Sequence, residues 1–173
     1  TSVILQADAL ALRDETANGK FPIEAVKMMK RVILYTESHA PVKTVFLEDE
    51  PAGAEHTMQG AIASAIITLS DELNSEAIVV ETKSGKTALE IARRRPARPV
   101  IAVTSSERVA QQLSIAYGVK TYTRKDEKLQ TQKLTKWLKD NKVLKSGDVI
   151  ITASGKYPGV VGTTDTVKVR VVE

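Results

Sequence analysis

The sequence predicts an α/β fold with three layers, in which an open, mostly parallel sheet lies between helices on both faces. Short β-branched runs alternate with segments whose apolar residues recur every three or four positions, which indicates strands joined by helices. Parallel strands need such crossovers, and right-handed crossovers leave the helices on the faces of the sheet. A glycine-rich segment without helical periodicity joins the last two strands, which predicts an antiparallel hairpin at the C-terminal edge.

The N-terminal part of the chain is predicted to contain one strand and one helix. The run ADALAL from Ala7 to Leu12 is short, apolar and bounded by charged residues, which is typical of a buried strand. A loop through Asn18–Gly19 follows it. Pro22 stands where helices commonly begin, and the apolar spacing after it predicts a helix to about Glu37. The segment from His39 to Glu55 contains prolines and an acidic triplet and is predicted to be irregular.

The remaining residues alternate regularly between the two periodicities. The predicted elements are a helix over Met58 to Leu73, a strand over Ala77 to Thr82, a short helix that ends before Pro96, a strand over Pro99 to Thr104, a helix through Val109 to Ala116, a strand over Gly118 to Thr123, a long helix with Leu134 and Trp137, and strands over 148–154 and 166–173. The basic run Arg93–Arg95 precedes a proline. Positive charge complements the carboxyl end of a helix, so the run is interpreted as a solvated helix end.

The composition excludes several classes of protein. With 173 residues and 42% hydrophobic content, the chain can bury one sizeable core. It has no run of about 18 apolar residues, so no membrane span is predicted. The lack of cysteine and of an N-terminal leader favours a cytoplasmic protein. His39 and His56 are isolated from each other and from ligand spacings, so neither a catalytic imidazole nor a metal site is predicted. The charge of +4 is dispersed and aromatics are 4%, which argues against nucleic-acid binding.

The strongest candidate site follows the strand that begins at Ala77. Its residues are Thr82, Lys83, Ser84, Gly85, Lys86 and Thr87. Ligands of open α/β sheets bind outside the carboxyl ends of the strands, and hydroxyl, ammonium and free amide groups suit one phosphate group. The structural alternative is a Ser/Thr helix cap with a glycine turn. A Walker A loop is excluded, because the glycine required five residues before Gly85 is replaced by Val80 inside the strand.

A second candidate segment, SGKYPGVVGTT, begins at Ser154. Its candidate residues are Gly155, Lys156, Tyr157, Gly159 and Gly162. The glycine content favours mobility, so the segment is predicted to form a movable flap if it lies beside the first loop. The alternative is a plain hairpin connection.

Three motifs, in order, resemble the C-terminal part of pyruvate kinase. The stretch ADALALRDETANGKFPIEAVKMM resembles the last barrel strand and the helix after it, although Arg13-Asp14 stand where the family usually has Ser-Gly. AIVVETKSGKTALEIARRRPARPVIAVT is similar to the first strand, phosphate loop and second strand of the C-terminal domain, and GVVGTTDTVKV to its closing loop and strand. The resemblance implies that residues 1–38 are a remnant of the barrel and residues 39–173 an α/β domain.

The resemblance also implies a function. The family transfers the phosphoryl group of phosphoenolpyruvate to ADP in glycolysis, as a homotetramer, with magnesium and potassium bound by barrel and lid residues that this chain lacks. It therefore implies no catalytic residue, metal or other cofactor here. It implies that loop 82–87 binds a phosphate of an activator such as fructose 1,6-bisphosphate and that loop 155–162 closes over it. Members of the family that bind the bisphosphate have an aromatic residue for its other phosphate in the stretch that corresponds to 123–133. This stretch has no aromatic residue here, so a sugar monophosphate or AMP also remains a candidate effector.

The sequence thus predicts a regulatory and assembly domain that binds a phosphorylated effector and is not catalytic alone. Its further expected partners are copies of itself and a pyruvate kinase barrel. Self-association is predicted because the strand at Ala7–Leu12 lacks barrel neighbours and the last strand lies at an edge. Two alternatives stay open: a free-standing sensor of phosphorylated metabolites, and an assembly module with an empty loop.

Overall fold

The computed structural model describes residues 1–39, 57–124, 131–155 and 164–173. The chain divides into two compact units, residues 1–43 and 44–173. Apart from its first residue, the segment predicted to be irregular, from His39 to Glu55, lies outside the described residues.

The described part of the N-terminal unit consists of two helices, α1 (Asp14–Ala17) and α2 (Pro22–His39). Helix α2 confirms the predicted helix, and α1 forms one turn within the segment predicted as a loop. The predicted buried strand at Ala7–Leu12 is wrong, because these residues form no strand and none of them is buried. A strand is held by hydrogen bonds to a neighbouring strand, and the described residues of this unit contain no other strand.

The described strands of the C-terminal unit form one mixed sheet. Its elements are α3 (Met58–Glu72), β1 (Ala77–Glu81), α4 (Lys86–Ala92), β2 (Val100–Thr104), α5 (Glu107–Leu113), β3 (Val119–Thr123), α6 (Thr131–Asp140), β4 (Val149–Gly155) and β5 (Thr164–Val171). The strand order is β3-β2-β1-β4-β5, and β4 and β5 are antiparallel whereas the other pairs are parallel. The predicted parallel sheet with an antiparallel C-terminal edge is therefore confirmed.

Helices cover both faces of this sheet. On one face, Ile78 and Val80 of β1 belong to a buried cluster with apolar side chains of α3, α4 and α5. On the other face, Val79 packs in a second cluster with Leu134 and Leu138 of α6. Because successive strand residues face opposite sides, a strand covered on both faces is apolar throughout. This explains the uninterrupted apolar runs of β1 and β2 and confirms the three layers.

The basic run after α4 is mostly not a solvated helix end, and this prediction is wrong for two of its three residues. The Arg93 side chain is 55% exposed, but Arg94 and Arg95 are 1% and 8% exposed. Arg94 donates hydrogen bonds to the carbonyl oxygen and the carboxylate of Glu90. The guanidinium carbon of Arg95 lies 5.1 Å from the ring centre of Tyr117, within the range of a cation–π interaction. Such partners offset the cost of burying charge.

Candidate functional site

The first candidate segment, residues 82–87, consists of the turn between β1 and α4 and the first two residues of α4, at the carboxyl end of β1. At β1 the order of strands reverses, since the chain proceeds outward through β2 and β3 and then returns to place β4 on the other side of β1. Open α/β sheets bind ligands in the crevice at such a reversal. The segment therefore lies where the topology favours a binding site.

The loop is held in a tight turn by its first and fourth residues. The amide of Gly85 donates a hydrogen bond to Thr82 Oγ1 at 2.9 Å, and the amide of Thr82 donates to the carbonyl of Val103 at 3.0 Å. Gly85 has a φ of +80°, in the left-handed region that glycine adopts without steric cost. Gly85 is also the residue that precedes α4, so the N-cap residue has no side chain with which to cap that helix. The loop thus has the glycine turn of the structural alternative, and the hydroxyl that accepts a hydrogen bond from an amide at the start of the helix comes from Thr82 instead of from the N-cap residue.

The side chains of the loop differ in their exposure. Lys83, Ser84 and Lys86 are exposed, Thr87 is half-buried, and Thr82 is buried. Ser84 Oγ accepts a hydrogen bond from the amide of Lys86 at 3.5 Å, which is the long limit for such a bond. The turn therefore presents a hydroxyl and two ammonium-bearing side chains at the surface.

A residue that the sequence did not identify meets this loop. Thr164, the first residue of β5, places its Oγ1 2.6 Å from Oγ1 of Thr87 in the first turn of α4. Thr164 is 7% exposed and pairs with Gly155 where the register between β4 and β5 shifts. Thr164 occurs in the motif GTTDTVKV, but no spacing rule relates two residues 77 positions apart.

The second candidate segment is described only at its two ends. Gly155 ends β4, and Thr164, the last residue of the segment, contacts Thr87 of the first loop. Its other candidate residues, Lys156, Tyr157, Gly159 and Gly162, lie outside the described residues. The flap that these residues would form stays a prediction.

Glu81, the last residue of β1, is a second feature that the sequence did not identify. Its carboxylate oxygen Oε1 is buried and has no hydrogen-bond partner among the described residues. Burial raises the pKa of Glu81 to about 7, and the positive charge of Arg124, which follows β3, opposes this shift. A carboxyl group that changes charge near neutral pH therefore lies directly before the loop.

This pKa shift predicts how stability depends on pH. We expect Glu81→Gln to unfold at higher urea than the wild type at about pH 8, with the difference vanishing below about pH 4. The folded-state pKa is raised from 4.5, so the stabilisation from the protonated carboxyl is complete below the unfolded pKa and is lost as pH rises through about 7. Because the side chain is partly solvated, the expected gain at high pH is about 1–2 kcal/mol. Glu76→Gln provides an exposed control, and a pH-independent difference for Glu81→Gln would contradict the assignment.

The described parts of the chain contain no group of three His, Asp or Glu residues that could hold a metal ion. His39 ends α2, is exposed, and stacks on Tyr35 with ring centres 4.0 Å apart. None of the described helices is long and apolar enough to cross a bilayer.

The sheet and this loop define an open α/β domain with a candidate anion site at the point where the strand order reverses. Residues 60–170 match the family model for the pyruvate kinase alpha/beta domain. The chain belongs to the pyruvate kinase family.

Individual relatives agree with this assignment. Pyruvate kinase 2 of Synechocystis sp. is 35% identical over 96% of this chain and 28% of that protein. The pyruvate kinase of Clostridium acetobutylicum is 35% identical over 96% of this chain and 36% of that protein. The crystal structure of a pyruvate kinase from Cryptosporidium parvum matches with a TM-score of 0.75 and 28% identity, over 94% of this chain and 32% of that chain. The chain thus corresponds to 28–36% of the length of these relatives.

Proposed function

We propose that this chain is the effector-binding part of a pyruvate kinase, in which loop 82–87 binds a phosphate group of a phosphorylated metabolite. The observation that carries the proposal is the fixed turn between Thr82 and Gly85 at the reversal of strand order, with the side chains of Lys83, Ser84 and Lys86 exposed beside it. A turn that is already ordered loses little conformational freedom when it binds an anion.

The chemistry of the loop is binding. Two ammonium groups compensate the charge of a phosphate, and the hydroxyl groups of Ser84 and Thr87 donate hydrogen bonds to its oxygens. Hydrogen bonds between charged partners are about twice as strong as neutral ones. Fructose 1,6-bisphosphate, sugar monophosphates and AMP share the phosphate group that this loop would bind, and they form the candidate effector class.

A ligand screen tests the proposal. We expect at least one of fructose 1,6-bisphosphate, fructose 6-phosphate and AMP to raise the melting temperature, while fructose does not. A ligand at 100 times its dissociation constant stabilises the folded state by about 2.7 kcal/mol. Lys86→Ala should weaken binding about tenfold in calorimetry, because it removes a charged hydrogen-bond donor. Lys136→Ala, an exposed lysine on α6, is the matched control. No heat with any phosphorylated ligand would refute the proposal and favour an assembly module with an empty loop.

We further propose that these 173 residues do not transfer a phosphoryl group alone. The support is the family resemblance, which assigns phosphoenolpyruvate, magnesium and potassium binding to other parts of a pyruvate kinase. In a coupled assay with phosphoenolpyruvate, ADP, Mg²⁺ and K⁺, the chain should form no pyruvate above background. Turnover that is lost with a heat-denatured sample would reject this proposal.

Self-association through β5 is the second proposed function. This strand is at the end of the strand order and pairs on one side with β4. Val169 and Val171 are 48% and 60% exposed, and exposed apolar edge strands favour pairing with another chain. Ala7–Leu12 is not a strand, so of the two segments on which this prediction was based, β5 is the one that still supports it. Sedimentation should show a dimer or larger species that Val171→Lys shifts toward monomer, and a wild type that stays monomeric at high concentration would exclude this mode of pairing.

A further inference from the structure

The hydroxyl pair of Thr87 and Thr164 joins two distant parts of the chain. The two Oγ1 atoms are 2.6 Å apart, which is a short hydrogen bond between hydroxyl groups. Thr87 belongs to the loop proposed to bind phosphate, whereas Thr164 begins β5 and is the last residue of the second candidate segment. The bond therefore connects an exposed loop to a nearly buried strand residue.

Only one of the two hydroxyls can donate in this bond, and the choice affects the loop. Each threonine hydroxyl has one hydrogen and two acceptor lone pairs. If Thr87 donated to Thr164, its hydrogen would not reach a ligand. If Thr164 donates, Oγ1 of Thr87 accepts, and the hydroxyl hydrogen of Thr87 points away from Thr164. Thr87 is only half-buried, so the second arrangement leaves its hydroxyl able to donate at the loop surface.

We propose that Thr164 is a positioning residue for the anion site, which donates its hydrogen to Thr87 Oγ1 and thereby directs the Thr87 hydroxyl toward the bound phosphate. This inference rests on the proposed function of loop 82–87. Two hydroxyls that donate in series polarise each other, so the terminal donor binds an anion more strongly than an isolated hydroxyl. Thr164 is 7% exposed and acts through Thr87 without being exposed at the surface of the loop.

The experiment is a double-mutant cycle with inorganic phosphate as the probe. The dissociation constant is measured from the chemical-shift changes of the Gly85 and Lys86 amides in NMR spectra as phosphate is added. This method can also measure weak binding in the millimolar range. Thr164→Val, which keeps the shape of the side chain, should weaken phosphate binding about fivefold, the effect of one hydrogen bond. Thr164→Ser should restore it. Thr87→Val should weaken binding at least as much, and adding Thr164→Val to it should cause no further loss.

The control separates positioning from a general loss of a buried hydroxyl. Thr152, which is 4% exposed, donates to the carbonyl of Lys168 at 3.2 Å in the same strand pair but outside the loop. Thr152→Val should lower the stability without changing phosphate affinity. Equal affinity of wild type and Thr164→Val, or additive losses in the double variant, would overturn the positioning role alone. If wild-type amides do not respond to phosphate, the proposed function fails and the inference fails with it.

Discussion

Replacing Arg94 with alanine should lower the free energy of unfolding by about 2–5 kcal/mol, the usual cost of truncating a large side chain that is fully buried. The Arg94 side chain is 1% exposed and donates to both the carbonyl and the carboxylate of Glu90. A methyl group added at Gly60 would lie 3.1 Å from Nη2 of Arg94, so the guanidinium lies against the first turn of α3. The substitution would leave a cavity and remove the side-chain donor of the Glu90 carbonyl, whereas the Glu90 carboxylate would keep its ion pair with Arg93.

Arg93→Ala is the matched control, because Arg93 binds the same carboxylate oxygen of Glu90, at 3.2 Å, but is 55% exposed. Exposed ion pairs contribute roughly 0–1 kcal/mol, so this variant should unfold at nearly the same urea concentration as the wild type. Chemical denaturation of both variants measures the difference directly. If the two variants lost comparable free energy of unfolding, the burial of Arg94 would not determine its contribution to stability.

The second large effect is expected at Gly85. Gly85→Ala should destabilise the fold by about 2–5 kcal/mol, because two costs add. An alanine at a φ of +80° adopts the left-handed conformation, which costs about 1–2 kcal/mol. Its Cβ would also lie 3.1 Å from Cδ2 of Leu113 and 3.3 Å from Cγ1 of Val109, and overpacking of this kind costs about 1–3 kcal/mol.

Gly118→Ala separates these two costs. Gly118 has a φ of +70°, and an added Cβ would meet nothing within 4 Å. This variant should therefore lose only the conformational term, about 1–2 kcal/mol. If the two variants lose equal stability, the contact of the added Cβ with α5 does not contribute to the destabilisation by Gly85→Ala. Since the turn presents the proposed phosphate ligands, Gly85→Ala should also weaken phosphate binding, whereas Gly118→Ala should not.

Most elements of the C-terminal unit could be predicted because their patterns depend on residues close in sequence. The runs at Ala77–Glu81 and Val100–Thr104 are apolar because both faces of these strands are covered, and the strands do form. The same reasoning failed at Ala7–Leu12, which is equally short and apolar. A strand exists only where another strand accepts its hydrogen bonds, and this requirement does not appear in a local pattern.

The candidate site likewise has some features that the sequence could predict and others that it could not. The position of loop 82–87 after a strand and the glycine turn at Gly85 could be inferred from the sequence, because both depend on neighbouring residues. The contact between Thr87 and Thr164 could not, since packing brings together residues 77 positions apart. The pKa of Glu81 likewise depends on burial, which raises it, and on Arg124, which follows a different strand and lowers it.

Local periodicity, turn residues and motif order were sufficient to establish the α/β class, the mixed sheet edge and the family of this chain. The absence of a glycine at Val80 was sufficient to exclude a Walker A loop. The tertiary structure alone decided that Arg94 and Arg95 are buried and that Thr164 reaches the loop. The physical reason is that periodicity records which face of an element is apolar, whereas burial of a charge or hydroxyl depends on partners that only the folded chain brings within hydrogen-bonding distance.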